Sequence, residues 1–169
     1  MDSTGHAEFL RYWERVHERT ARVVALVPPS ALEWSYQPGK FTCGDLIRHL
    51  AAIERTMFAE NAAGRPSRYS GHGRELADGY PAVMDFYRRM HEETVAIVAA
   101  LAPADLLRRC RTPGGAELPV WKWLRAMLEH QIHHRGQLYL YLSMLGVPAP
   151  PLYGLTSEEV QRASAPAPS

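Results

Sequence analysis

The sequence predicts an all-α protein, a four-helix bundle. Dense Pro and Gly divide its 169 residues into four long segments, and each segment repeats apolar residues at three- and four-residue steps. Alternating apolar and polar runs, the mark of a half-buried strand, are rare. Four comparable amphipathic helices must bury their stripes against one another, which implies a bundle.

The breaks fall at Pro28-Pro29, from Gly64 to Gly73, and from Pro103 through Pro119. Before the first, Phe9, Trp13, Val16, Thr20, Val23, Val24 and Val27 line one face of a helix expected over about residues 6–27. Thr42 opens the second helix as N-cap, with Asp45 three residues on as the acidic arm of a capping box. Leu46, Leu50, Ile53 and Met57 follow, and the helix ends near Ala63-Gly64.

Gly79, Tyr80 and Pro81 open the third helix, in which Val83, Met84, Phe86, Tyr87, Met90, Val95, Ile97, Val98 and Leu101 form a wide stripe before Pro103. The fourth opens at Pro119, carries Val120, Trp123, Met127, Leu138, Tyr141 and Leu145, and stops at Gly146 and Pro148. Beyond it, Pro148 to Pro151 reads as extended, Thr156 with Glu159 caps a short terminal helix, and the Ala/Pro/Ser tail from about 163 is expected to be flexible.

Composition narrows the function classes. A chain of 169 residues with 46% hydrophobic and 22% charged residues can sustain one core, so a single domain over 1–169 is expected. The net charge is +1 and Lys and Arg are interspersed with Asp and Glu, which argues against a nucleic-acid partner or an anionic membrane surface. Neither a secretory leader pattern nor a run of ~18 apolar residues occurs, so a cytoplasmic protein with no membrane span is expected. Cys43 and Cys110 form no paired motif and read as reduced structural residues.

The histidines carry the chemical information. Imidazole is the commonest protein ligand for zinc, nickel and similar ions, and two histidines four apart on a helix project from one face. His130 and His134 have that spacing. At about 100° per residue they lie ~40° apart on the side of Val120, Trp123, Met127, Leu138 and Tyr141, whereas His133 falls at the polar border. On the second helix His49 lies at the rim of the Leu46 and Ile53 stripe and not among Arg48 and Arg55.

Glu54 falls between Leu50 and Phe58, where a carboxylate needs a cation, a metal or a metal-bound imidazole beside it. His91, in the third stripe four residues after Tyr87, reads as a satisfied core or pocket histidine. His6, His17 and His72 read as surface residues. Trp123 and Tyr141 are packing aromatics that also suit the wall of a metal pocket. A histidine on an apolar face is commonly a hydrogen-bonded core residue, so spacing alone leaves both the metal reading and the core reading open.

Trp34 through Arg55, with Gly39-Lys40-Phe41-Thr42 leading into Gly44-Asp45-Leu46-Ile47-Arg48-His49-Leu50-Ala51, resembles the second-helix entry of the DinB/YfiT-like family. Glu129-His130-Gln131-Ile132-His133-His134-Arg135-Gly136-Gln137-Leu138 resembles that family's fourth-helix motif, a histidine, two residues, then His-His-Arg-Gly-Gln. Pro151-Leu152-Tyr153-Gly154 is similar to its ending. The resemblance implies a bundle with a long crossover connection, often a homodimer, and a three-histidine site for one divalent ion, nickel or zinc, at His49, His130 and His134. Glu54, His91, Trp123, His133 and Tyr141 would then lie behind the ligands or line the pocket.

Some members of that family are thiol-dependent S-transferases or isomerases, and the resemblance implies no DNA chemistry. Three neutral imidazoles leave a coordination position for water, a thiolate or a carbonyl oxygen, the arrangement of a catalytic metal. The sequence therefore points to a metal-dependent enzyme that transfers a low-molecular-weight thiol to a small electrophile, with no catalytic side chain assignable. A metal-assisted hydrolase, or a non-catalytic homodimeric metal-binding module, remains the alternative.

Overall fold

Why each helix begins where it does is visible in its first turn. The computed structural model describes residues 3–165. α1 (Ser3–Val24) is followed by a single 3-10 turn at Pro29–Ala31. α2 (Cys43–Ile53) starts at Thr42, whose Oγ1 accepts from the Asp45 N–H at 2.9 Å while the Thr42 N–H donates to Asp45 Oδ2 at 3.0 Å. This reciprocal pair satisfies two N–H groups that a helix start leaves without partners. Gly44 lets the start of α2 press against the preceding turn: its N–H donates to Leu32 O at 2.6 Å, and a Cβ there would meet that oxygen at 3.0 Å.

α2 does not end at Ile53. It continues through one wide π turn, Glu54–Ala59, into Glu60–Ala62. Thr56 accounts for the loosened ladder: its hydroxyl donates to Ala52 O at 2.7 Å, and its carbonyl accepts from the Arg68 N–H at 3.0 Å. The crossover between the second and third long helices is thereby tied back onto α2.

α3 (Tyr80–Ala99) opens after Gly79, whose φ of 80° is the left-handed conformation that favours glycine. α4 (Pro103–Leu107) is short, and the strands β1 (Arg109–Arg111) and β2 (Glu117–Pro119) then pair antiparallel, with Cys110 opposite Leu118. α5 (Val120–Met144) is the longest helix among the described residues. α6 (Ser157–Ala163) carries the expected Thr156 and Glu159 capping box.

The fold is an all-α bundle of α1, α2, α3 and α5, as the periodicity predicts. Two details differ. The Pro103 to Pro119 break, read as having no strand, contains the two-stranded ribbon of β1 and β2, three residues each, which is too short to show alternation. α1 spans 3–24 and not 6–27, because Val27 is buried from the turn that follows the helix. Of the tail expected from about 163, Ala163 still closes α6, and residues 166–169 lie outside the described residues.

α2 packs on α3 and α5, and α1 packs on α5. The core has two parts. One gathers Val24, Leu46, Ile47, Leu50, Val83, Leu138 and Leu142; the other gathers Trp13, Phe58, Val98, Leu106, Leu124 and Met127. Each such side chain contributes about 1.5–3 kcal/mol by leaving water. Along α2 the change from one part to the other falls after Ala51, and along α5 it falls between Leu128 and Leu138. On α5 His130 and His134 fall within this interval, and on α2 His49 lies just before the change. No helix among the described residues is long and apolar enough to cross a membrane.

Candidate metal centre

At the junction of the two core parts, α2 contributes His49 and α5 contributes His130 and His134. His49 Nε2 lies 3.1 Å from His130 Nε2, and His134 Nε2 lies 3.1 Å from the same atom. Ligand nitrogens on an ion with bonds of about 2.0–2.1 Å sit about 2.9 to 3.4 Å apart, depending on octahedral or tetrahedral angles. His130 Nε2 therefore already has the spacing of a coordination edge to each of the other two nitrogens, and all three lie within 4.8 Å of one another. His49 is buried, and the other two are half-buried.

The partners on the far side of each ring set its tautomer. His134 Nδ1 is 2.6 Å from Gln137 Oε1, an acceptor, so His134 carries its proton on Nδ1 and turns the Nε2 lone pair inward. His49 Nδ1 is 3.4 Å from Tyr69 Oη, which is 2.7 Å from His72 Nδ1. A relay from His49 Nδ1–H to Tyr69 and from Tyr69 to His72 leaves His49 Nε2 with a lone pair as well. One proton on His130 Nε2 could serve one of these lone pairs; a cation serves all three nitrogens.

Electrostatics favour the same state. Burial, then the charge of His134, lowers the His49 pKa from 6.5 to about 4. Burial, then His134 and His49, lowers that of His130 to about 3. Burial also lowers that of His134, although the Gln137 bond opposes it. Near neutral pH the imidazoles are uncharged, as ligation requires.

Aromatic rings surround the three histidines. Phe41 meets the His49 ring edge-on at 5.3 Å, and Phe58 lies 5.9 Å from His130. A cleft of about 630 Å³ beside His134 is lined by Tyr36, Lys40, Phe41, Gln137, Leu140, Tyr141 and Met144. Tyr141, expected at the pocket wall, lines it and donates from Oη to Phe41 O at 3.1 Å, holding the loop before α2. Trp123 stands one layer back, its ring 4.3 Å from Phe58. His133 is exposed, with its ring 4.9 Å from that of His134.

Glu54 and His91 are brought to each other and not to the three histidines: His91 Nδ1 lies 2.8 Å from Glu54 Oε1. The buried Glu54 carboxylate thus has this imidazole as its polar partner. The surface assignments of His6, His17 and His72 are corrected. His6 is buried with Nε2 3.1 Å from Val98 O, His17 stacks on His91, and His72 stacks on Phe41 at 4.1 Å. Arg48, read as polar-faced, is wholly buried and bonded to Glu33, Asp45 and the Ala77 carbonyl. Tyr69 and His72 were absent from the expected ligand surroundings, whereas Gln137 is a residue whose chemistry suits a contact behind the ligands. Only Gln137 had a signal, its three-residue spacing from His134.

The model of the DinB superfamily matches residues 12–138, a span that includes His49, His130 and His134. The chain belongs to the DinB superfamily. The uncharacterised protein YrdA of Bacillus subtilis (strain 168) is similar to it at 24% identity over 159 residues, 89% of each chain. A DinB-like protein from Bacillus cereus ATCC 10987 superposes with a TM-score of 0.70 at 21% identity, over 85% of this chain and 94% of that one. DinB-like YjoA of Bacillus subtilis gives 0.70 at 18% identity, over 87% and 97%. A mutant of a mycothiol-dependent maleylpyruvate isomerase gives 0.59 at 15% identity, over 93% and 66%. These structural likenesses establish the shared DinB fold.

Proposed function

We propose that this protein is a divalent-metal-dependent enzyme that holds nickel or zinc through His49, His130 and His134 and transfers a low-molecular-weight thiol to a small electrophile. The observation that carries the reading is the convergence of three neutral imidazoles, 3.1 Å apart in two successive pairs, at the side of a cleft large enough for a small molecule. The fold shared with a mycothiol-dependent isomerase supports the choice of a thiol over water as nucleophile.

When bound, the ion supplies Lewis acidity, which favours thiolate over thiol near neutral pH. The chain's own residues arrange the reactants. Gln137 and Tyr69 keep the ring planes of His134 and His49 fixed through their Nδ1 atoms. Lys40 places an ammonium in the cleft that attracts an anionic group of the thiol or the electrophile, while Tyr36, Leu140 and Met144 present apolar surface to the remainder. Phe41 and Phe58 exclude water from the inner side of the histidines.

The test uses purified protein loaded with nickel or zinc, a panel of bacterial thiols and activated electrophiles, and thioether formation followed by mass spectrometry. Conjugation by the native chain and its loss in His134→Ala is the expected result. Equal rates in both overturn the transferase reading.

A further inference from the structure

We propose that His17, Glu54 and His91 form a second metal site, separate from the three-histidine centre, for one divalent first-row transition ion. His17 comes from α1, Glu54 from the π turn that extends α2, and His91 from α3; one ligand atom from each lies within 4.8 Å of the other two. The 2.8 Å between His91 Nδ1 and Glu54 Oε1 is close to the about 2.9 Å that separates adjacent ligands at right angles with bonds near 2.1 Å. The His17 and His91 rings are stacked nearly parallel, 5° apart in plane, with centroids at 3.2 Å, so binding one ion requires the two rings to tilt apart until an edge nitrogen of each points at it.

A second observation is independent of the ligands. Three buried polar atoms around them, Tyr87 Oη, Gln131 Oε1 and Trp13 Nε1, lack a well-formed hydrogen bond among the described residues, the Tyr87 hydroxyl having only the Gln131 side chain beside it. Tyr87 stacks on His17 at 5.4 Å, the Trp13 ring stands edge-on to His91 at 5.3 Å, and Gln131 Nε2 lies 3.4 Å from His17 Nδ1. Buried polar groups without partners are costly, and water ligands on an ion would give them partners. If the Gln131 amide is turned over, Oε1 accepts from His17 Nδ1–H and leaves the Nε2 lone pair for the ion.

A groove of about 880 Å³ between α1 and α3 gives access to the cluster, reaching His17, Tyr87 and His91. Its rim carries the three carboxylates Glu14, Asp85 and Glu92 against two cations, Arg88, which bonds Asp85 and Glu92, and Arg89, which bonds Asp85 from beside the groove. This excess of carboxylates favours entry of a cation. The buried Arg135, near Tyr87, is turned to the Val16 carbonyl of α1. Two imidazoles and one carboxylate form a harder set than three imidazoles and suit zinc, iron(II) or manganese(II).

The experiment measures bound metal per chain by mass spectrometry after the full-length protein is stripped and equilibrated with Zn²⁺. Co²⁺ absorption reports the ligand set of each site. Two equivalents are expected in the native chain, one in Glu54→Gln, in His91→Ala and in His130→Ala, and none in the double variant His91→Ala with His130→Ala. Glu54→Gln keeps the shape of the side chain, so the comparison stands even if His91→Ala misfolds by circular dichroism. One native equivalent that survives Glu54→Gln and disappears in His130→Ala overturns the second site. One that survives His130→Ala and disappears in Glu54→Gln supports it and overturns the three-histidine reading; no bound metal overturns both.

Discussion

Gln137 Oε1 lies 2.6 Å from His134 Nδ1, one turn along the same helix. The bond settles which nitrogen of His134 faces His130, although the Gln137 side chain itself lies at the protein surface. Removal of such a partner typically weakens metal binding by about 10–100-fold. Gln137→Ala is therefore expected to lower Ni²⁺ or Zn²⁺ affinity by that factor in a chelator competition, with the helical circular dichroism unchanged. Unchanged affinity would mean that packing alone orients the ring.

Metal binding to the folded chain should raise its stability. An ion at about 100 times its dissociation constant adds about 2.7 kcal/mol if the unfolded chain does not bind it. Thermal melts with and without Ni²⁺ should show the rise in the native protein, reversal by a chelator, and a smaller rise in His49→Ala.

In the metal-free protein the depressed histidines make stability depend on pH. The unfolded chain binds protons at His49 and His130 as pH falls through 6.5, whereas the folded chain resists until about 4 and about 3. The unfolded state then holds more protons, so stability is full above pH 6.5 and is lost as pH falls toward 4, by at most about 1.4 kcal/mol per pH unit for each group. Urea midpoints between pH 7.5 and 4.5 should fall accordingly. In His130→Ala they should fall less steeply.

Arg48 holds together three parts of the chain. It is 0% exposed, and its guanidinium meets Glu33 at 2.6 Å, Asp45 at 3.2 Å and the Ala77 carbonyl at 2.8 Å. Arg48→Ala leaves Glu33 and Ala77 O without this donor and is expected to cost about 3–5 kcal/mol in urea unfolding. Because His49 is the next residue, a weaker metal affinity should accompany the loss. Arg48→Lys should recover part of the stability, since one ammonium cannot span all three acceptors.

The order and ends of the helices were readable from local chemistry, since caps such as Thr42 with Asp45 and stops such as Gly146 act within one turn. The facing of His49, His130 and His134 was readable too, because a 3.6-residue period assigns each position to a face. Periodicity breaks down where the helix does: the π turn at Glu54–Ala59 changes the angular step, and Glu54 is directed to His91.

What the sequence determined by itself is the set of amphipathic faces and the residues able to bind a metal on them. The tertiary structure decided which faces meet, and so the 3.1 Å approach of His49 to His130, the burial of Arg48 between Glu33 and Ala77, and the grouping of His17 with Glu54 and His91. The physical reason is range. Caps and periods act over a few residues, whereas these contacts join positions 15 to 81 apart, and their partners are selected only when the helices pack.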